Sequence, residues 1–261
     1  MDSPNPISVA FSVIRAMRVS RPTPSGAGEI AHDRLREVLN VLADQGFVGL
    51  SAERGNLDLY RKTLEAADPN TLSRPEALAY WINLYNAGAL DVAAEAVTQT
   101  QSTVLRVPGA FSRVWATVGS EGLSLNDIEH GKIRRFGDPR IHGALVCGSA
   151  SCPTLRYEPY AGNGLDDQLD SQMRSFLSGG GAAFDTASNK LLLSRVFLWY
   201  GADFVRPQRM PTWIPATKRS VAKSIANWLE PELRQLSADA GVAFQSYDWG
   251  LSCSIGQARR Q

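Results

Sequence analysis

Ser73 opens a run, SRPEALAYWINLYNAGALDVAAEAV, whose later part is apolar on nearly every face of a helix. Such a helix cannot lie on a surface. It has to be central, with other elements wrapped around it, and that requirement shapes the whole chain. Its start is well marked. Ser73 and Glu76 form a capping box, and Pro75 falls in the first turn, where its missing N–H is harmless. Asn83 and Asn86 interrupt the apolar run three residues apart, and therefore on one face. A buried amide must find partners. Two roles fit: polar contacts aimed into a site, at an oxyanion or a catalytic His, or brackets that hold a neighbouring loop.

Around this helix the sequence places further elements. Residues 29–46 carry Ile30, Leu35, Val38, Leu39 and Leu42 on one helical face, and 56–67 group Leu57, Tyr60 and Leu64. Strands are expected at 103–107, 114–118, 141–146, 190–193 and 242–249. Ser124 is expected to start a helix with Asn126, Asp127 and Glu129 in its first turns. Residues 165–177 read as a helix, as does RVFLWYGADF after Ser194. The segment holding Val221, Ile225, Trp228 and Leu229 is another, and Pro231 starts the last. Helices followed by mixed strands and helices predict an α+β fold, with a helical N-terminal half packed on a small mixed or antiparallel sheet. The 261 residues, 44 % of them hydrophobic, supply a core for one such domain over 29–252. Residues 253–261 form a tail. Residues 1–28 form an extension in which Ile7, Phe11 and Ile14 predict a short amphipathic helix laid on the core, followed by a Pro/Gly linker. Asp2 and the breaks at Ser8, Ser12 and Arg15 argue against a secretory signal, and no stretch approaches the roughly 18 apolar residues of a membrane span. A cytoplasmic protein is the expectation.

Lys and Arg number 27 against 26 Asp and Glu, a balance that disfavours duplex nucleic acid or an anionic membrane as the main partner. With 3 Cys there is no disulfide framework. The 3 Cys and 3 His are nonetheless clustered, because His130, His142, Cys147 and Cys152 all fall within 124–160. Three chemistries fit this cluster. The first is a thiol nucleophile. Cys152 precedes Pro153 and would cap a helix N-terminus, while Cys147 would end a buried strand before a Gly-Ser turn. His142 is the better base for Cys152, since a five-residue spacing sets it and Cys147 on opposite faces of a regular strand. His130 is the other base, with Glu129 to orient it, although adjacent helix residues diverge by about 100°. The second is zinc bound by the four residues, at spacings unlike the common C-x2-C or H-x3-H. The third is a redox pair closed between Cys147 and Cys152. A plain buried Cys and a hydrogen-bonded core His stand beside all three.

Asp203 in WYGADF either orients a His or ties down a helix end. Arg206, Arg209, Lys218, Arg219 and Lys223 lie in a stretch without acids. Lys218 and Arg219 follow Thr217, an expected N-cap, where cations are disfavoured. That mismatch hints at an anionic partner, a small molecule or peptide.

YWINLYNA (80–87), DIEH (127–130) followed by Ile133 and Arg134, DPRIHGALVCGSASCP (138–153), LSRVFLWYGADF (193–204) and YDWGLS (247–252) together resemble the family called domain of unknown function 547. Ser252 departs from the Asn that is usual there. The resemblance implies no activity, since none is established for the family. Many bacterial members look exported, in contrast to this chain. Papain-like and transglutaminase-like enzymes place the nucleophilic Cys on a helix N-terminus and the His on a strand, and Cys152 and His142 can be read that way by analogy. The leading expectation is a thiol-dependent hydrolase or acyl transferase acting on an amide or thioester-like bond. Cys152 or Cys147 would be the nucleophile, His142 or else His130 the base, and Glu129 or Asp203 the orienting acid, with Asn83 and Asn86 as polar contacts. The rivals are a non-catalytic module that binds an anionic ligand through Arg206, Arg209 and their neighbours, and a structural zinc domain. No cofactor is expected.

Overall fold

The apolar run becomes α4 (Arg74–Thr98), the axle of the molecule. The structure is a computed structural model. It describes residues 6–212, 214–252 and 255, with side chains from residue 11 onward. Ser73 caps α4 by accepting the Glu76 N–H at 3.4 Å. The Glu76 carboxylate does not close the capping box. It reaches outward, accepting the N–H of Gly162 at 2.6 Å and that of Ile30 at 3.4 Å. It therefore ties the segment leading into α2 and a distant loop to the start of α4.

Two helices pack on one side of α4. They are α2 (Asp33–Ala52), through Leu35, Val38, Leu39 and Leu42, and α3 (Arg54–Glu65), through Leu57, Tyr60 and Leu64. The expected end of the first helix at residue 46 corresponds to a break within α2, where Gly46 takes a φ of +60° that a helix cannot contain. The hairpin of β1 (Val114–Val118) and β2 (Glu121–Ser124) packs beside α3, which it meets through Arg61 and Glu65. After α5 (Leu165–Phe176), a second sheet of β3 (Ala182–Asp185), β4 (Lys190–Leu193) and β5 (Gly241–Phe244) pairs β3 with β4 antiparallel and β4 with β5 parallel. Between β4 and β5 the chain forms α6 (Val196–Val205), α7 (Lys218–Ile225) and α8 (Pro231–Leu236), whose core of Phe197, Phe204, Val221 and Ile225 adjoins the main one. The fold is α+β, one helical half with two small sheets. The order of elements thus carried the class.

Several expected elements take other forms. Residues 103–107 form no strand; Thr103 caps a 3-10 turn over Val104–Arg106. Residues 141–146 form no strand either. Asp138 caps a 3-10 turn over Pro139–Gly143, and the buried residues beyond it run without a partner strand. The composition of IHGALV reports burial, and burial alone does not choose between strand and turn. Ser124 both ends β2 and starts the helical turns from residue 125, as expected: its hydroxyl accepts the Asp127 N–H at 3.2 Å, and its own N–H donates to Asp127 Oδ2 at 3.0 Å. The helix that follows, Asp127–Lys132, is a π-helix. The last strand stops at Phe244, short of the expected 249.

The extension forms α1 (Pro6–Ala16) with its apolar faces reversed. Val13 and Ala16 are buried, whereas Phe11 is 69 % and Ile14 54 % exposed; the side chain of Ile7 lies outside the described residues. The reason is Gly131. A Cβ there would stand 2.7 Å from the Ala16 carbonyl oxygen and 2.2 Å from Val19, so the chain docks through its small side. Of the tail, only Ile255 is described, bridged to Leu155.

Asn83 shows what the polar breaks in α4 do. Its amide donates to the Tyr160 carbonyl at 2.8 Å and accepts the Tyr160 N–H at 2.9 Å. Asn83→Ala would leave both buried backbone groups unpaired, at about 1–3 kcal/mol each. Urea unfolding of this variant is expected to show a loss of about 3 kcal/mol at unchanged m-value. A loss within error of zero would refute the bracket.

Candidate functional site

The π-helix brings Glu129 and His130 together. Its wider turn overrides the divergence expected of adjacent residues, and Glu129 Oε1 lies 3.5 Å from His130 Nδ1. Single π-turns within helical segments are often found at functional sites. One turn later Arg134, 1 % exposed, meets Asp203 of α6 in a two-pronged pair, Nε to Oδ2 at 2.8 Å and Nη2 to Oδ1 at 2.9 Å. Arg134 Nη2 also donates to the Thr212 carbonyl at 3.3 Å, and its Nη1 stands 3.4 Å from His130 Nδ1. His142, on the Pro139–Gly143 turn, sets Nε2 at 2.8 Å from Asp203 Oδ2. The His142 ring stacks on Tyr200 with centroids 4.2 Å apart. His130, His142, Glu129 and Asp203 thus form one buried network around the Arg134 guanidinium, whose role no motif spacing announces.

Its electrostatics follow from burial. Burial raises the Asp203 carboxyl, but Arg134 and the hydrogen bonds from His142 and Arg134 outweigh it and hold the group well below the usual carboxylate range. Burial also raises Glu129, and here the fields of the His130 and His142 imidazolium forms, the field of Arg134 and a Tyr200 hydrogen bond prevail and lower it. The Tyr85 and Tyr200 phenols are pushed far up, first by burial and then by the Glu129 carboxylate to which both hydrogen-bond. Desolvation takes His130 down to about 4, leaving it neutral at pH 7.

Cys147 and Cys152 are joined as a disulfide with Cα atoms 6.3 Å apart, the redox-pair arrangement among the three weighed from sequence. Cys152 Sγ accepts the Cys147 N–H at 3.0 Å, and Ser149 Oγ lies 3.0 Å from Cys147 Sγ. Tyr247 OH accepts from Ser149 at 3.0 Å and stands 3.4 Å from each sulfur. The loop is clamped by the 248–252 segment, through Ala150 N–H to the Gly250 carbonyl and Ser252 N–H to the Gly148 carbonyl. Gly148 permits this with a φ of +76° and close packing on Val104 and Ala93. The expected helix cap at Cys152 is absent, since residues 153–161 carry no helix, and His142 is on a turn and not a strand. The papain-like placement is therefore not reproduced. Among the described residues no imidazole nitrogen is hydrogen-bonded to either sulfur, and no three His, Cys, Asp or Glu are grouped as metal ligands.

Both sulfurs and His142 nevertheless line one cleft of about 100 Å³, with Glu129 in its wall. A second cavity of about 230 Å³ shares Tyr85, Glu129, Cys147, Tyr200 and Trp249 with it, and adds His130. Asn83 and Asn86 line neither. Asn86 brackets the loop between His142 and Cys147, donating to the Ala144 carbonyl at 3.0 Å and accepting the Val146 N–H at 3.1 Å. Arg206 is spent on the Ile214 and Pro215 carbonyls, and Arg209 is exposed on the turn Pro207–Arg209; both are away from the cleft. Thr217 does cap α7, accepting the Ser220 N–H at 3.2 Å.

An α+β scaffold with a buried Arg–Asp–His network beside a cystine describes the class of this site. Residues 69–177 match the family model described as a protein of unknown function, DUF547, over the span that holds YWINLYNA, DIEH and DPRIHGALVCGSASCP. No curated protein and no solved structure matches the chain. No helix among the described residues is long and apolar enough to cross a membrane.

Arg134→Ala would strand the Asp203 carboxylate and is expected to cost about 3–5 kcal/mol in urea unfolding, whereas Arg134→Met with Asp203→Leu restores most of the loss. Equal stability of the single and double variants would contradict this. A second expectation concerns pH. Burial also brings His32, hydrogen-bonded to Tyr60 at 2.6 Å, down to about 4. Between pH 6.5 and 4 the unfolded chain therefore binds protons at His32 and His130 that the folded chain refuses. Stability falls as pH falls through this window, by about 1.4 kcal/mol per pH unit per histidine. His32→Gln should roughly halve the slope of stability between pH 5 and 6; an unchanged slope would count against it.

Proposed function

We propose that the protein is a thiol-dependent hydrolase or acyl transferase whose working form has the Cys147–Cys152 pair reduced. The observation that carries the reading is a shared cleft: both sulfurs line it with His142, whose Nε2 is held by Asp203 at 2.8 Å. Asp203 occupies one imidazole nitrogen, so proton exchange falls to Nδ1. A dithiol reductant opens the pair, supplying two electrons and two protons. Cys152 is the better nucleophile, because the Cys147 N–H at 3.0 Å favours its thiolate.

The Cys152 thiol passes its proton to His142, the thiolate adds to the carbonyl carbon of an amide or thioester, and the leaving group departs with that proton from His142. Water or another nucleophile then attacks the acyl-sulfur bond, giving up its proton to His142, and the thiolate is released. Arg134 keeps Asp203 ionised through the cycle and so fixes the imidazole. A reducing compartment would keep the pair open, which suits the cytoplasmic placement expected from the sequence.

The test is hydrolysis of an activated acyl thioester with and without a dithiol. Reduced protein is expected to turn over and to lose activity in Cys152→Ser, with His142→Gln about 10²- to 10⁴-fold slower. Its thiol should react with iodoacetamide faster than free cysteine at neutral pH. A reduced protein no faster than the Cys147→Ser, Cys152→Ser double variant would end the proposal.

A further inference from the structure

We infer that the cavity floored by Glu129 is a binding site for a compact organic ammonium cation. This goes beyond the thiol reading and does not depend on it. Charge is the first argument. The Arg134 guanidinium acts on Glu129 only through its field, because both of its ion-pairing hydrogen bonds go to Asp203. Glu129, 7 % exposed, is a second buried carboxylate in the same cavity. His130 is neutral at pH 7. The Glu129 carboxylate therefore has only the His130 imidazole within ion-pair distance among the described residues, and a cation that enters the cavity would meet its charge. An uncompensated buried charge is costly, and a cation of matching size offsets it.

The walls are the second argument. Tyr85, Phe111 and Trp249 line the cavity with Glu129, as does Tyr200, whose ring is itself taken by His142 at 4.2 Å and by the Arg134 guanidinium at 5.3 Å. Trp249 belongs to an aromatic cluster with Tyr247, at 4.5 Å between centroids, and Trp199, at 5.7 Å. Aromatic faces carry negative potential and attract ammonium groups, most strongly where water is excluded. The Tyr85 and Tyr200 hydroxyls are engaged with Glu129, so they hold the carboxylate in place. Size is the third argument. At about 230 Å³ the cavity is smaller than the roughly 300–1,000 Å³ of pockets for drug-sized ligands, so it fits a head group and not a bulky molecule. The same features disfavour an anion here, which moves the expected anionic partner away from this cavity.

Calorimetric titration of the full chain with its disulfide closed tests the site without any turnover. The probes are choline and n-butylammonium, each against its uncharged analogue, 3,3-dimethylbutanol and n-pentanol. The cations are expected to bind more than tenfold tighter than the neutral analogues. Glu129→Gln should abolish that preference, and Trp249→Ala should weaken cation binding about 2- to 30-fold. Equal affinity for cation and neutral analogue, or no binding of either at millimolar concentration, overturns the inference. Should Glu129→Gln fail to fold, the half-buried Trp249 decides, and an unchanged affinity in Trp249→Ala overturns it as well. Because nothing here requires a reactive sulfur, a protein that binds cations but fails the thioester assay refutes the thiol reading alone.

Discussion

The Arg134–Asp203 pair is the interaction on which the rest of the site depends. An arginine that is 1 % exposed survives only if its charge is met and its donors are occupied. Asp203 meets the charge through two bonds, the Thr212 carbonyl takes a further donor, and His130 stands 3.4 Å from the remaining arm. Each partner arrives on a different element: the guanidinium just past the π-helix, the carboxylate on α6, the His142 imidazole on a 3-10 turn. Fixing the pair therefore fixes the relative positions of all three, and a misplaced α6 would leave a charge buried alone. Specificity of arrangement, more than net stability, is what such a pair contributes here.

Asn83 and Asn86 extend the same logic to the loops. Each amide makes two bonds to backbone groups, in the manner of a strand neighbour, so segments without regular structure are held at fixed distances from α4. Asn86 grips the stretch between His142 and Cys147, and so sets the depth of both in the cleft. The protein has little sheet around its site, and these amides do the work that a strand ladder would do.

How much of this was legible in the sequence follows from range. α4 was, because an all-round apolar run with a marked start admits one reading. So was the grouping of His130, His142 and the two cysteines, because they are scarce and close in sequence. The π-helix was not: periodicity cannot announce one inserted residue, and it is that residue which lets Glu129 and His130 share a site. Arg134 was quoted within a motif, yet an arginine gives no sign of burial until its partner 69 residues away is located. The aromatic walls were hidden for the opposite reason. Tyr85 and Tyr200 read as ordinary core of their helices and Trp249 as the end of the expected last strand, and only the fold sets them around one carboxylate.

The division of labour along the chain carries a last consequence. The matched span 69–177 contains Glu129, His130, Arg134, His142 and both linked cysteines, but not Asp203, Tyr200 or Tyr247. Within that span the Arg134 guanidinium would be buried with only Glu129 nearby to balance it, and the His142 imidazole would have no carboxylate to orient it. The chain after 177 supplies the missing charge through α6 and covers the sulfurs with the 247–252 segment, which returns to pair with Gly148 and Ala150. The network thus draws its arginine and histidines from the matched span and its Asp203 carboxylate from the chain after it. Loss of the chain after 177 would leave the buried Arg134 guanidinium without the carboxylate that meets its charge.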